Sequence, residues 1–158
     1  KQIEQFSKKT KFKSIVLRLS SIYGPGLSRQ IIYDIIKNIL VNDKMFLKGS
    51  IRDSRQFLYV KDCVKIFKYL IKKKHNKFTI FNIANGKKIK IFKITNLIKN
   101  ILQKKIKIKF LDKLKSSSLP ELSNLKLIKK IGKIKFTSFE IGLLETLDWI
   151  KKSNEKNK

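Results

Sequence analysis

At 158 residues, with 42% hydrophobic and 10% aromatic side chains, the chain is sized for one packed domain and is too apolar to be disordered. One cysteine (Cys63) and one histidine (His75) exclude an internal disulfide framework and a Cys/His metal centre, and no apolar run is long enough for a membrane span. The net charge of +28 points toward polyanions, but only four of the 39 basic residues are arginine (Arg18, Arg29, Arg52, Arg55); the lysines run from end to end beside abundant Ile and Asn, which reads as drift of an A/T-rich coding sequence rather than a selected nucleic-acid surface.

Residues 1–10, KQIEQFSKKT, read as the tail of a helix, and Ile15–Leu19 as a strand. SIYGPG at 21–26 holds one of the two prolines and two of the six glycines, and it breaks that strand. Ile32, Ile35, Ile36 and Ile39 then mark a helix over 29–40. MFLKG and RQFLYV are strand candidates on either side of the polar loop GSIRDS. Cys63, Ile66, Phe67, Leu70 and Ile71 form an apolar stripe, predicting a helix over 62–73 with Asp62 as its N-terminal cap or dipole partner. His75, in KKKHNK, falls in a solvated loop, and Cys63 is an inert small hydrophobe. FTIFNI is a strand ending in the turn ANGK. Ile91 to Leu102 is helical, and KIKIKF at 105–110 alternates as a strand. After the linker KSSSLP (115–120) comes a short helix, NLKLIKKIG. Thr137 and Glu140 are spaced as a capping box opening a last helix, before a polar tail from about residue 151.

Alternating strands and helices predict an α/β fold with some parallel sheet. The usual phosphate-binding signatures, G-x-G-x-x-G and the P-loop, are absent from the sequence. Four stretches nevertheless occur in a telling order. They are Arg18-Leu-Ser-Ser21-Ile-Tyr23-Gly24-Pro25, then Gly49-Ser-Ile-Arg-Asp-Ser-Arg55-Gln-Phe57-Leu-Tyr59-Val60-Lys-Asp62, then Asn82-Ile-Ala-Asn-Gly86, and Glu140-Ile-Gly142-Leu143-Leu-Glu-Thr146-Leu-Asp-Trp149. In order and spacing this series resembles the C-terminal half of the NAD-dependent epimerase/dehydratase family, the extended short-chain dehydrogenase/reductases that include UDP-glucose 4-epimerase.

The resemblance implies residues 1–151 as part of a Rossmann-type sheet plus a small α/β substrate-binding subdomain, with 152–158 a polar tail. Leu19, Ser20 and Tyr23 would stand at the nicotinamide end of NAD. Ser21 replaces the family's usual Asn, which contacts the sugar nucleotide. Arg55 matches the arginine that grips the substrate diphosphate, and a planar guanidinium suits two phosphate oxygens. Phe46, Lys48 and Phe57 match positions around the nucleotide base, and Gln30 faces the same pocket. No catalytic residue is expected in this chain and no metal is implied: the family's Tyr-x-x-x-Lys pair and Gly-rich NAD loop would lie upstream. Glu4 matches a Glu that follows that lysine, putting the lysine before residue 1, or at Lys1 with shorter spacing. An opening Lys1 instead of Met fits a fragment or a processed chain.

The family's second diphosphate arginine is also missing, since KSSSLPELS stands in its place. The full-length enzyme would oxidise the sugar C4 hydroxyl with NAD, then return the hydride or eliminate water; it is expected to be a cytoplasmic homodimer acting on a nucleotide-sugar. Two alternatives stay open. One is a lysine-rich module binding nucleic acid or an anionic surface, and the other is a non-catalytic remnant of the family.

Overall fold

The computed structural model describes residues 1–111 and 120–155, without the Glu155 side chain. The expected linker at 115–120 lies outside the described residues except for Pro120, as do the last three residues of the expected tail. Helix α1 (Gln2–Lys9) leads into β1 (Ser14–Leu19), and a single residue, Ser20, separates β1 from β2 (Ser21–Tyr23). The chain continues through α2 (Ile31–Val41), β3 (Lys44–Lys48), β4 (Ser54–Tyr59), α3 (Val60–Ile71) and β5 (Phe78–Ile83). It then forms β6 (Lys88–Lys90), α4 (Ile91–Leu102), β7 (Lys107–Leu111), α5 (Leu125–Ile131) and α6 (Phe139–Glu155). This is the α/β fold that the alternating pattern predicts.

The strands form three small sheets. β1 pairs in parallel with β5, β2 in parallel with β4, β4 antiparallel with β6, and β3 in parallel with β7. SIYGPG therefore does more than end a strand. The break falls at Ser20, and Ser21-Ile-Tyr23 is itself a strand belonging to a different sheet. The positive φ of Gly24 (136°) sends the chain out of that strand, and a Cβ there would collide with the Val60 side chain.

Two cores lie on opposite faces of β4, because successive side chains of a strand alternate. Phe57 and Tyr59 join Tyr23, the isoleucines of α2 and α4, and Leu143, Leu147 and Ile150 of α6. Leu58 instead joins Cys63, Ile66 and Leu70 of α3, Phe81 and Ile83 of β5, and Leu127 of α5. Cys63 is buried as expected, and burial raises its thiol pKa. At fifteen and seven fully buried apolar residues, both clusters are large enough to hold their helices in place.

Several local expectations change. Thr137 does not cap α6. Its backbone N–H and hydroxyl donate to the Asp62 carboxylate at 2.7 and 2.9 Å, and the cap is Ser138, whose Oγ accepts from Ile141 N. Asp62 does not cap α3 but lies in its first turn, where an acidic side chain complements the helix dipole as expected, and, buried there, it bolts α3 to the segment before α6. His75 is half-buried rather than solvated, donating from Nε2 to the Leu70 carbonyl at 2.6 Å at the end of α3. Helix α6 runs on to Glu155, into the expected tail, helped by the Lys152–Asp148 pair and by Ser153 Oγ donating to Trp149 O. β6 is too short, at three residues, to leave a periodic signal in the sequence.

β1 has no second neighbour strand among the described residues. Parallel sheets are normally covered on both faces, yet every residue of β1 is partly or largely exposed. Ile3, Phe6 and Phe12, on and after the adjacent α1, are more than half exposed.

Candidate active-site crevice

The site begins where β1 stops. The Ser20 N–H donates to Ile83 O at 3.0 Å, which carries the β1–β5 ladder one residue further before the chain crosses to β2. This brings Leu19, Ser20 and Ser21 together at the carboxyl ends of a parallel strand pair. In open α/β sheets that is where ligands bind. With Gln56, Pro120 and Leu122 they line a cavity of about 310 Å³. The Ser20 hydroxyl is buried and has no hydrogen-bond partner among the described residues, and such an orphaned group calls for an explanation.

The far wall of this cavity is a strap, residues 120–124, held by three amides. Gln56, itself buried, accepts from Leu122 N at 2.7 Å and donates to Leu122 O at 3.3 Å. Asn82 donates to Ser123 O and Asn124 to Ala84 O. Sequence reasoning missed Gln56. The signal was there: a polar residue two before Leu58, on the same side of a strand otherwise apolar at those positions.

Arg55, next to Gln56, projects to the opposite face of β4. It lines a separate, narrow cavity of about 40 Å³ with Lys48, Ser50 and Asp53, walled by Ile31, Leu47, Ile91 and Phe110. Arg55, matched to the diphosphate arginine, and Lys48, matched to a position around the base, thus line one cavity. Asp53 shares their cavity and accepts from Ser50 N at 3.1 Å, shaping the GSIRDS loop.

Two residues expected at ligand sites are core residues in this chain. Tyr23 is 2% exposed, its hydroxyl donating to Phe139 O at 3.3 Å, and burial pushes its pKa up. Phe57 is equally buried, edge-on to Tyr23 with ring centroids 6.2 Å apart. They underlie β2 and β4 and support the cavity walls without lining them. Gly142 makes this possible, because a Cβ there would strike the Tyr23 hydroxyl. Phe46 is 64% exposed on β3, and Gln30, just ahead of α2, is also exposed; neither lines the Ser20 cavity or the Arg55 cavity.

The Tyr-x-x-x-Lys spacing does occur in this chain, twice, at Tyr33/Lys37 and Tyr69/Lys73. In both cases the lysine ammonium sits over its own tyrosine ring, at 5.8 and 4.7 Å from the centroid. Tyr33 packs on Trp149 and Tyr69 is exposed on α3, so neither pair lines the crevice. A larger cleft of about 670 Å³, between Lys87–Lys93 and residues 136–140, contains none of the sequence-predicted site residues. Among the described residues no group of three His, Cys, Asp or Glu could hold a metal ion, and no helix is long and apolar enough to cross a membrane.

The sequence profile of the NAD dependent epimerase/dehydratase family matches residues 1–84. An uncharacterized protein of Methanocaldococcus jannaschii is 31% identical over 147 residues, covering 87% of this chain and 45% of the relative. The dTDP-4-dehydro-6-deoxyglucose reductase of Escherichia coli is 35% identical over 104 residues, covering 63% of this chain and 33% of its own length. Among solved structures, the UDP-glucuronic acid 4-epimerase of Bacillus cereus superposes with a TM-score of 0.85 at 21% identity, over 96% of this chain and 49% of that one. The UDP-N-acetylglucosamine 4-epimerase of Methanobrevibacter ruminantium gives 0.82 at 24%, over 96% and 50%. The chain therefore spans half or less of the length of the relatives it matches.

Proposed function

Since the chain belongs to the NAD-dependent epimerase/dehydratase family, we propose that it is the C-terminal, substrate-binding portion of a nucleotide-sugar epimerase or dehydratase. The observation that carries this reading is the Ser20 crevice, an orphaned hydroxyl in a cavity at the carboxyl ends of β1 and β5. The bare edge of β1 and the exposed apolar residues of α1 support it, since both suit a sheet that continues with further parallel strands. Those strands, the dinucleotide loop and a catalytic Tyr-x-x-x-Lys pair would come from the remainder of a longer protein, and residues 1–151 would be this half of it. In a complete enzyme NAD would accept and return the hydride at the sugar C4 position.

The residues present fit such a role. Ser20 offers a buried hydroxyl, and Leu19, 37% exposed, offers an apolar surface at the same strand end for a nicotinamide ring. Ser21, at the mouth of the crevice, would hydrogen-bond the sugar nucleotide in place of the longer Asn. Lys48 and Arg55 would hold the diphosphate through charge-assisted hydrogen bonds. Phe46, exposed nearby on β3, would stack on the base. A nucleotide-sugar would then bridge the two cavities past the N-terminal end of β4, where β2 does not extend.

The test is binding of UDP-glucose and dTDP-glucose to the complete protein, measured by calorimetry. Arg55→Ala should weaken binding by roughly ten- to a hundredfold, the value of one or two charge-assisted hydrogen bonds. Gln30→Ala, at a solvent-facing position outside both cavities, should change it less than Arg55→Ala. Unchanged affinity on loss of Arg55, or no binding of either sugar nucleotide, would overturn the proposal. The lysine-rich binding module is less favoured, because the family assignment accounts for the fold and the crevice without it.

A further inference from the structure

The other end of the β1–β5 sheet holds a second orphaned polar atom. After α3 the chain turns through three lysines to His75, whose Nε2 faces the Leu70 carbonyl at 2.6 Å. A carbonyl only accepts, so Nε2 carries the proton and donates. The other ring nitrogen, Nδ1, is buried and has no hydrogen-bond partner among the described residues. The ring stands edge-on to Phe81, with centroids 5.9 Å apart.

His75 is part of the wall of a cavity of about 270 Å³, shared with Asn76, Thr79, Lys126, Lys129 and Lys130. Three lysines of α5 line the space and no carboxylate does. Lys126 lies over the Phe81 ring at 5.5 Å, and Lys130 donates to Lys74 O at 2.7 Å, fixing α5 against the turn that carries His75. Thr79 and Ile83 lie four residues apart on β5, so this cavity is about 13 Å along the strand from the Ser20 crevice.

We propose that this cavity is a separate binding site for a phosphate-class oxyanion, inorganic phosphate or the phosphoryl group of a small monoester. A P–O–H of the hydrogen phosphate donates to His75 Nδ1, which is an acceptor while Nε2–H is engaged by Leu70 O, and the other phosphoryl oxygens accept from the ammonium groups of Lys126 and Lys129, with the Thr79 hydroxyl and Asn76 amide completing the hydrogen bonds. A hydrogen-phosphate group satisfies Nδ1 with its O–H and offsets the mutual repulsion of the lysines with its charge; a neutral hydroxyl ligand does only the first and chloride only the second. The site does not depend on the nucleotide-sugar reading.

His75 is the only histidine in the chain, so a long-range ¹H–¹⁵N spectrum contains one native imidazole and needs no assignment. Titration with inorganic phosphate at constant ionic strength should shift the Nδ1 resonance saturably in the millimolar range. A sugar 1-phosphate forms the second arm. Saturation by both identifies a phosphoryl site open to esters, and saturation by inorganic phosphate alone identifies a closed one. Lys126→Ala and Lys129→Ala, both at exposed positions, should each weaken binding about threefold, the scale of one screened charge pair. Lys87→Ala, in the other cleft, should leave it unchanged. Three results would overturn the site: no saturable shift with either ligand, the same shift with chloride, or undiminished binding in the Lys126→Ala/Lys129→Ala double variant.

Discussion

Replacing Gln56 by leucine removes the two hydrogen bonds that hold Leu122 while keeping side-chain bulk on the buried face of β4. In the native chain Gln56 accepts from Leu122 N at 2.7 Å and donates to Leu122 O at 3.3 Å. Each neutral bond contributes about 1 kcal/mol net, so holding the strap shut loses about 2 kcal/mol. The strap is not freed entirely, because Asn82 still donates to Ser123 O and Asn124 to Ala84 O. The loss therefore falls on local opening more than on global unfolding. At tenfold per 1.4 kcal/mol, the Leu122 amide should exchange with deuterium about 30-fold faster. Amides of α3, buried in the same core, should change by much less. Native-state hydrogen exchange resolved by residue measures both. A Leu122 rate within twofold of native, in a chain that remains folded, would refute the argument that Gln56 holds this wall. In the complete protein the same variant should also weaken sugar-nucleotide binding, since Leu122 and Gln56 line the cavity with Ser20 and Ser21.

The bolt between α3 and α6 gives a second expectation. Asp62→Ala strands both donors of Thr137 and should cost about 3 kcal/mol in urea denaturation, whereas Thr137→Val loses only the hydroxyl bond and should cost about 1 kcal/mol. Equal losses would show that the backbone N–H bond contributes nothing. A third concerns acid. Glu145 accepts from Lys61 and from the Tyr59 hydroxyl, and these bonds hold its carboxyl below the ordinary 4.5. A depressed folded pKa means that the unfolded chain binds the proton first as pH falls. The contribution of Glu145 is complete above its unfolded value and is lost as pH drops through the folded one. Glu145→Gln should accordingly flatten the fall of melting temperature between about pH 6 and about pH 3 relative to native; an unchanged slope would remove Glu145 from the acid response.

Periodic signals made most of the elements legible. The isoleucines at 32, 35, 36 and 39 are all fully buried on α2, and the stripe from Cys63 to Leu70 faces the second core, whereas Ile71, expected on the same stripe, ends α3 79% exposed. The sequence failed where a residue's partner is distant along the chain. Thr137 and Glu140 have the local spacing of a capping box, but Thr137 finds Asp62, 75 residues away, and a charged acceptor outcompetes the local one. His75 looked solvated among lysines because nothing local shows that α3 ends with a carbonyl within its reach. Tyr23 and Phe57 sit in motifs tied to ligands, yet their rings pack edge-on under β2 and β4, with Tyr23 in the space that Gly142 leaves open. Of the expected site, Leu19, Ser20 and Ser21 come together, as do Lys48 and Arg55, each group in its own cavity. Gln56 sits inside a matched motif, and nothing local shows that its partner is Leu122, 66 residues further along the chain.

Because β4 serves two cores and two cavities from alternate positions, its register is a shared setting. A slip of one residue would bring Arg55 under the strap and turn Gln56 toward Lys48, exchanging the chemistry of both cavities at once. Pairing with β2 on one side and β6 on the other opposes that slip from two directions. A mutation that loosened either neighbour would not degrade one cavity gradually. It would detune both together, so binding measured at the Ser20 cavity and at the Arg55 cavity should rise and fall as a single quantity.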